Sequence, residues 1–151
     1  MDRKIIDKLI NWKNSKRRKP LVLQGARQVG KTYIILTFGK KHYKNVAYFS
    51  FENNEALEKV FDRDFDTQRI IKELSVLSGQ SIFEQDTLII FDEIQACEKA
   101  LTSLKYFNEN DNEYHIIAAG SLLGVAVNRE KYSFPVGKVD LMTLYPLDFE
   151  E

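Results

Sequence analysis

Two groups of residues in this chain have the types and spacing for phosphate chemistry. The first is Gly25-Ala26-Arg27-Gln28-Val29-Gly30-Lys31-Thr32. Gly25 and Gly30 can take backbone angles that a side chain forbids, so successive N–H groups can turn inward around an anion. Lys31 carries its charge on a stem long enough to reach a β- or γ-phosphate, and the Thr32 hydroxyl can take one coordination position on Mg²⁺. The run 25–33, with Tyr33 at its end, is thus a candidate nucleotide-binding segment. The second group is Asp92-Glu93, sixty residues after Thr32. Asp92 is placed to hold Mg²⁺, and Glu93, one residue on and pointing differently, to orient or deprotonate an attacking water. An apolar run ending in Asp-Glu is a weak signal alone; an upstream glycine loop of this form makes it a strong one.

The segments around these groups must position them. Leu21-Val22-Leu23 precedes the glycine loop and Tyr33 to Phe38 follows it, so the loop reads as a strand-to-helix turn, the P-loop pattern in its required context. The amino end of that helix offers unsatisfied N–H groups and a positive dipole end to the same anion. Thr87 to Phe91 is apolar throughout, as expected of a strand covered on both faces inside a parallel sheet. Asn45 to Phe51, Tyr114 to Ala119 and Val136 to Leu144 read as further strands. Helices are expected over 2–13, with Ile5, Ile6, Leu9 and Ile10 on one face and Trp12 as a packing anchor, over 55–85, and over 97–108. The 55–85 helix is expected to bury Phe65, Ile70, Ile71, Leu74 and Leu77 and to stop at Gly79. The 97–108 helix carries Leu101, Leu104 and Phe107.

Strands alternating with helices give right-handed βαβ units, an α/β fold with a parallel sheet and helices on both faces. Ligands bind such sheets at the carboxyl ends of the strands, where Gly25, Glu52, Asp92 and Ser121 all fall. Ser121 has two readings, a polar sensor of the γ-phosphate or water, and a helix N-cap before Leu122-Leu123. Arg27 is read either as a contact to phosphate or a neighbouring subunit, or as a surface residue.

Composition narrows the class. A length of 151 residues suits one domain over 1–151. Lys+Arg and Asp+Glu are 22 each, so net charge gives no argument for nucleic acid or a membrane surface. The cluster Lys16-Arg17-Arg18-Lys19 reads as a solvated loop, with a phosphate or nucleic-acid contact as its alternative. The single Cys97 excludes an intramolecular disulfide, and no apolar run approaches a membrane span; the chain reads as cytoplasmic. His42 and His115 lack metal-ligand spacing and are assigned no function.

Three phrases coincide: Leu23 to Thr32, Phe91-Asp92-Glu93-Ile94-Gln95, and Ala119-Gly120-Ser121-Leu122-Leu123. With Phe134 to Val139 and Leu144-Tyr145-Pro146-Leu147, they resemble the prokaryotic AAA-family ATP-binding proteins, over nearly the whole chain. The resemblance implies a P-loop NTPase three-layer sandwich of the additional-strand type, sheet order 5-1-4-3-2, with ATP as ligand and Mg²⁺ as metal. It assigns Lys31, Thr32, Asp92 and Glu93 to the nucleotide and catalytic positions and Gln95 to a polar position beside them. It also implies that the chain is the amino-terminal part of a longer protein with a carboxy-terminal domain. Truncation there would uncover apolar surface around Leu147 and Phe149, which suggests weak self-association. Hydrolysis by this part alone is expected to be weak because the transition state needs a supplied positive charge. Arg129, the only Arg after Asp92-Glu93, reads first as a solvated loop residue and alternatively as a finger for a neighbouring subunit, so a supplied Arg is expected to depend on sequence after Glu151.

The expected activity is ATP hydrolysis coupled to a conformational change. A switch that binds ATP with little turnover is the alternative, disfavoured by the intact Asp92-Glu93 pair. A small-molecule kinase needs an acceptor site and no water-directed carboxylate, so Glu93 argues against it. A GTPase would carry a guanine-reading Asn-Lys-x-Asp, which does not occur in the sequence.

Overall fold

The computed structural model describes residues 3–25, 30–121 and 137–144. Five strands, β1 (Leu21–Gly25), β2 (Asn45–Ser50), β3 (Thr87–Asp92), β4 (His115–Gly120) and β5 (Asp140–Leu144), form one sheet in the order β2-β3-β4-β1-β5. Every pairing is parallel. Read from the other side this is the expected 5-1-4-3-2. All residues of β3 and β4 are buried, which is why both read as unbroken apolar runs. Register aligns Ser50 with Asp92 and Gln24 with Gly120. The ends of four strands therefore meet at one carboxyl edge.

Helices cover both faces. Ile5, Leu9 and Trp12 of α1 (Arg3–Asn14) and Ile34, Ile35 and Phe38 of α2 (Lys31–His42) pack on Leu21, Leu23, Ile90 and Ile117. On the other face, α3 (Glu55–Asp62), α4 (Thr67–Ser78) and α5 (Glu98–Asn110) cover Phe49, Ile89, Phe91 and Ile116. Alternate strand residues thus feed opposite cores. Gly39 lets α2 approach the sheet closely, since a Cβ there would lie 2.7 Å from Val46 and 2.9 Å from Leu88.

The helix expected over 55–85 is two helices. Asn54 caps α3 by accepting from the Leu57 N–H, and Asp66 caps α4 by accepting from Gln68 and Arg69 N–H groups. Arg69 ties the corner down, with Nη2 donating to the carbonyls of Val60 and Asp64 at 2.9 and 3.0 Å. The break turns Phe65 out of the buried stripe, half-buried and stacked on Tyr106, and leaves Leu77 exposed. Gly79 ends α4 in the left-handed region at φ 68°, as expected. β5 begins at Asp140 instead of Val136, which lies outside the described residues.

The basic cluster before β1 is only partly a solvated loop. Lys16 and Arg17 are exposed, but Arg18 is buried and Lys19 half-buried, its backbone N–H donating to Asp140. Arg18 docks against Asn112, beside His115 at the start of β4.

His115 is 5% exposed and hydrogen-bonded to the Tyr43 hydroxyl at 2.7 Å. Burial, reinforced by the charges of Arg18 and Lys13, pushes its pKa down to about 4. The unfolded chain, at an ordinary value of 6.5, therefore takes up a proton that the folded chain refuses. The contribution is complete above pH 6.5 and is lost as pH falls towards 4. Between pH 7.5 and 5, the wild-type protein is expected to lose about 2 kcal/mol more stability than His115→Gln. Urea unfolding of both at the two pH values checks this; equal losses would show that His115 does not titrate between the states.

Candidate functional site

The carboxyl edge assembles the sequence-predicted groups from three strands and one helix. Gly25 closes β1, Asp92 closes β3, and Ser121 follows Gly120 at the end of β4. Ala26, Arg27, Gln28 and Val29 lie outside the described residues, as do Arg129 and the helix expected after Ser121. Gly30 is the N-cap of α2 at φ 82° and ψ 21°. A Cβ there would meet nothing within 4 Å, so the backbone angle, not space, is what calls for glycine. α2 points its amino end at the site and carries Lys40, Lys41 and His42 in its last turn, the polarity that favours an anion at the first turn.

Lys31 is 7% exposed, and its Nζ donates to the Gly25 carbonyl at 2.9 Å. The two flanks of the glycine loop are thereby joined, with the ammonium at the strand end. Thr32 Oγ1 donates to Asp92 Oδ2 at 2.8 Å. This single hydrogen bond brings together the two residues, sixty apart in sequence, that were expected to share a metal. Tyr33, next along, is 67% exposed.

Asp92 is 6% exposed and receives three donors: Thr32, the Tyr48 hydroxyl at 2.5 Å on the same oxygen, and the Glu93 N–H at 3.0 Å on Oδ1. Glu93 sits in the left-handed region at φ 54° and ψ 42°, a conformation that costs a non-glycine residue on the order of 1 kcal/mol. It ends the strand and starts the 3₁₀ turn Ile94–Ala96. Gln95 then donates from Nε2 to Glu93 Oε2 at 2.6 Å. Gln95 is thus the residue that holds the carboxylate expected to face water.

Among the described residues, Ser121 Oγ and Gln95 Oε1 are buried without a hydrogen-bond partner. Both are polar atoms at the edge where a ligand is expected, and neither is spent on the fold. Tyr48 was not foreseen. Partial burial first, and then the bond to Asp92, raise its phenol well above the ordinary range and keep it a donor.

Thr32 Oγ1 and Asp92 Oδ2 form a hard oxygen pair that fits Mg²⁺, an ion held by one or two protein oxygens with waters and phosphates completing its shell. No group of three or more His, Cys, Asp and Glu residues suited to a metal occurs among the described residues. No helix among them is long and apolar enough to cross a membrane.

Sheet order, glycine loop and edge residues define a P-loop NTPase fold. The chain belongs to the AAA domain family, whose model matches residues 17–151. It is similar in structure to the Aeropyrum pernix ORC1 protein solved in complex with DNA, at TM-score 0.59 and 15% identity over 97% of this chain and 44% of that one. It is also similar to Thermotoga maritima RuvB T158V, at TM-score 0.57 and 17% identity over 99% of this chain and 46% of that one. The Thermotoga maritima RuvB Holliday junction branch migration motor gives TM-score 0.56 at 14% identity, again over 99% and 46%. The chain spans less than half the length of these proteins. No curated protein matches it in sequence.

Proposed function

We propose that this chain binds ATP with Mg²⁺ and hydrolyses it, driving a conformational change in an attached carboxy-terminal domain. The observation that carries the reading is the Thr32–Asp92 hydrogen bond at 2.8 Å beside Glu93. It places a hydroxyl, a carboxylate and a second carboxylate at one strand edge against a helix amino end. In this reading residues 25–33 hold the nucleotide: the loop N–H groups and Lys31 take the phosphates, and Lys31 exchanges the Gly25 carbonyl for phosphate oxygen. Thr32 and Asp92 hold the metal, which when bound would neutralise charge between the β- and γ-phosphates. Glu93, oriented by Gln95, accepts the proton of the attacking water, and Ser121 faces the γ-phosphate or that water.

A second reading is a switch that binds ATP and scarcely turns over. The Gln95–Glu93 hydrogen bond favours it, because one oxygen of Glu93 is already engaged. A kinase finds less support, since Glu93 would spend the phosphoryl group on water. The solved relatives include a protein in complex with DNA and a Holliday junction motor; for this chain, equal numbers of acidic and basic residues give nucleic acid no electrostatic support. Self-association is the route by which an Arg, from position 27, 129 or elsewhere, would reach the transition state. A cytoplasmic setting completes the proposal.

Calorimetric titration with ATP and with GTP, each with Mg²⁺ and with EDTA, tests the binding step. Mg²⁺-dependent binding of ATP in preference to GTP is expected. Absence of any nucleotide binding would overturn the assignment of this edge.

A further inference from the structure

The opposite edge of the sheet carries a second polar site. The segments entering β1, β3 and β4 surround an open cleft of about 470 Å³, lined by Lys13, Lys16, Arg18, Asp86, Glu113 and His115 among others. Strands of five and six residues separate it from the nucleotide edge, a distance of roughly 15–20 Å.

Arg18 is the unusual member. It is only 9% exposed, with its guanidinium carbon 5.8 Å from the centre of the Trp12 ring. Nη2 donates to the Asn112 carbonyl at 2.6 Å, and Asn112 returns a bond from Nδ2 to the Arg18 carbonyl. Nη1 is buried with no partner, and so is Asn112 Oδ1. Among the described residues no carboxylate lies within ion-pair distance of the guanidinium, since the four ion pairs present involve Lys44, Arg69 and Lys99. The carboxylates of the cleft have other partners: Asp86 pairs with Lys44 at 3.4 Å and Glu113 accepts from Gln85. The lining carries three cationic side chains, Lys13, Lys16 and Arg18, against two carboxylates, Asp86 and Glu113, and so is positive by one charge. A buried cation without an anion is unfavourable, and a bound anion that accepts from its fork would relieve it.

We propose that this cleft binds a small oxyanion, a phosphate or carboxylate group of a small molecule, on Arg18 with Lys16 at its rim. Because Asp86 and Glu113 line the same cleft, its positive charge is confined to the neighbourhood of Arg18 and Lys16, which suits a small anion better than an extended nucleic-acid strand. The site is independent of the nucleotide site and does not rest on it.

Trp12 is the chain's only tryptophan and its ring centre lies 5.8 Å from the Arg18 guanidinium carbon, so its fluorescence reports a change at Arg18 locally. The protein is titrated at pH 7.5 and constant ionic strength with sodium phosphate and, separately, with sodium malonate. Because phosphate also suits the glycine loop, both titrations are repeated on Lys31→Ala. A saturable change is expected for at least one anion, with a midpoint on the order of 1–10 mM. It is retained in Lys31→Ala, weakened about twofold or more in Lys16→Ala, and weakened at least about tenfold in Arg18→Met. Response to phosphate alone identifies a phosphoryl ligand, and response to malonate a carboxylate one.

A non-saturating drift with both anions, the outcome expected if internal water alone bridges Arg18 and Asn112, overturns the proposal. So does a response abolished by Lys31→Ala, or one unchanged in Arg18→Met. Should Arg18→Met fail to fold, the ¹⁵Nε resonance of Arg18 in the unaltered protein decides. A saturable shift with the same midpoint supports the site, and a stationary resonance overturns it.

Discussion

Glu93→Gln is expected to lower ATP hydrolysis by about 10²–10⁴-fold, the range associated with removing a positioned general base. ATP affinity should remain within about twofold, because the change removes a charge that the bound nucleotide does not need. The geometry supports that separation. In the proposed reading metal and phosphate contacts fall to Thr32, Asp92 and Lys31, while Glu93 leaves the strand in a left-handed turn and is held by Gln95 at 2.6 Å. A glutamine can keep a hydrogen bond to Gln95, so the turn should survive the substitution. Steady-state phosphate release at saturating ATP, together with calorimetric affinity, checks both halves. Unchanged turnover would reduce Glu93 to a strand-end charge.

Lys31→Ala is expected to act on binding. Removal of the ammonium should weaken ATP by about 10- to 100-fold, or about 1.4–3 kcal/mol. The loss is not total because the loop N–H groups and the amino end of α2 stay in place. The side chain is 7% exposed and bonded to the Gly25 carbonyl, so part of any effect could come through the loop itself. Thermal unfolding without nucleotide separates the two. A variant with the parent melting temperature and weakened ATP binding supports a phosphate contact. Undiminished affinity would remove Lys31 from the site.

The fold was legible in the sequence where burial is two-sided. The runs 87–92 and 115–120 are buried at every position, so hydrophobicity alone marks them as central strands. The approach of Thr32 to Asp92 was legible because each closes a pattern of fixed local spacing, a strand-to-helix turn and an apolar strand end, at the same carboxyl edge. The break between α3 and α4 was not. Ile70, Ile71, Leu74 and Leu77 keep helical spacing with one another, but Phe65, five residues before Ile70, does not. The reading of one continuous helix passed over both that slip and the capping signal of Asp66, whose carboxylate accepts from two N–H groups of the next turn.

Tyr48 and Arg18 were missed for a different reason. The Tyr48 bond to Asp92 depends on β2 lying beside β3, a pairing between residues 44 apart. Arg18 sits in a run of four basic residues that reads as solvated, and its burial is decided by Asn112, 94 residues away. Long-range partners of this kind leave no local pattern to read.

The central claim is that the Thr32–Asp92–Glu93 edge hydrolyses ATP with Mg²⁺. Its most direct test is release of inorganic phosphate from saturating ATP by the unaltered chain, with Mg²⁺ and with EDTA in parallel. Release above the spontaneous rate, and dependent on the metal, is expected. Release no faster than in buffer, or equal release in EDTA, would contradict it.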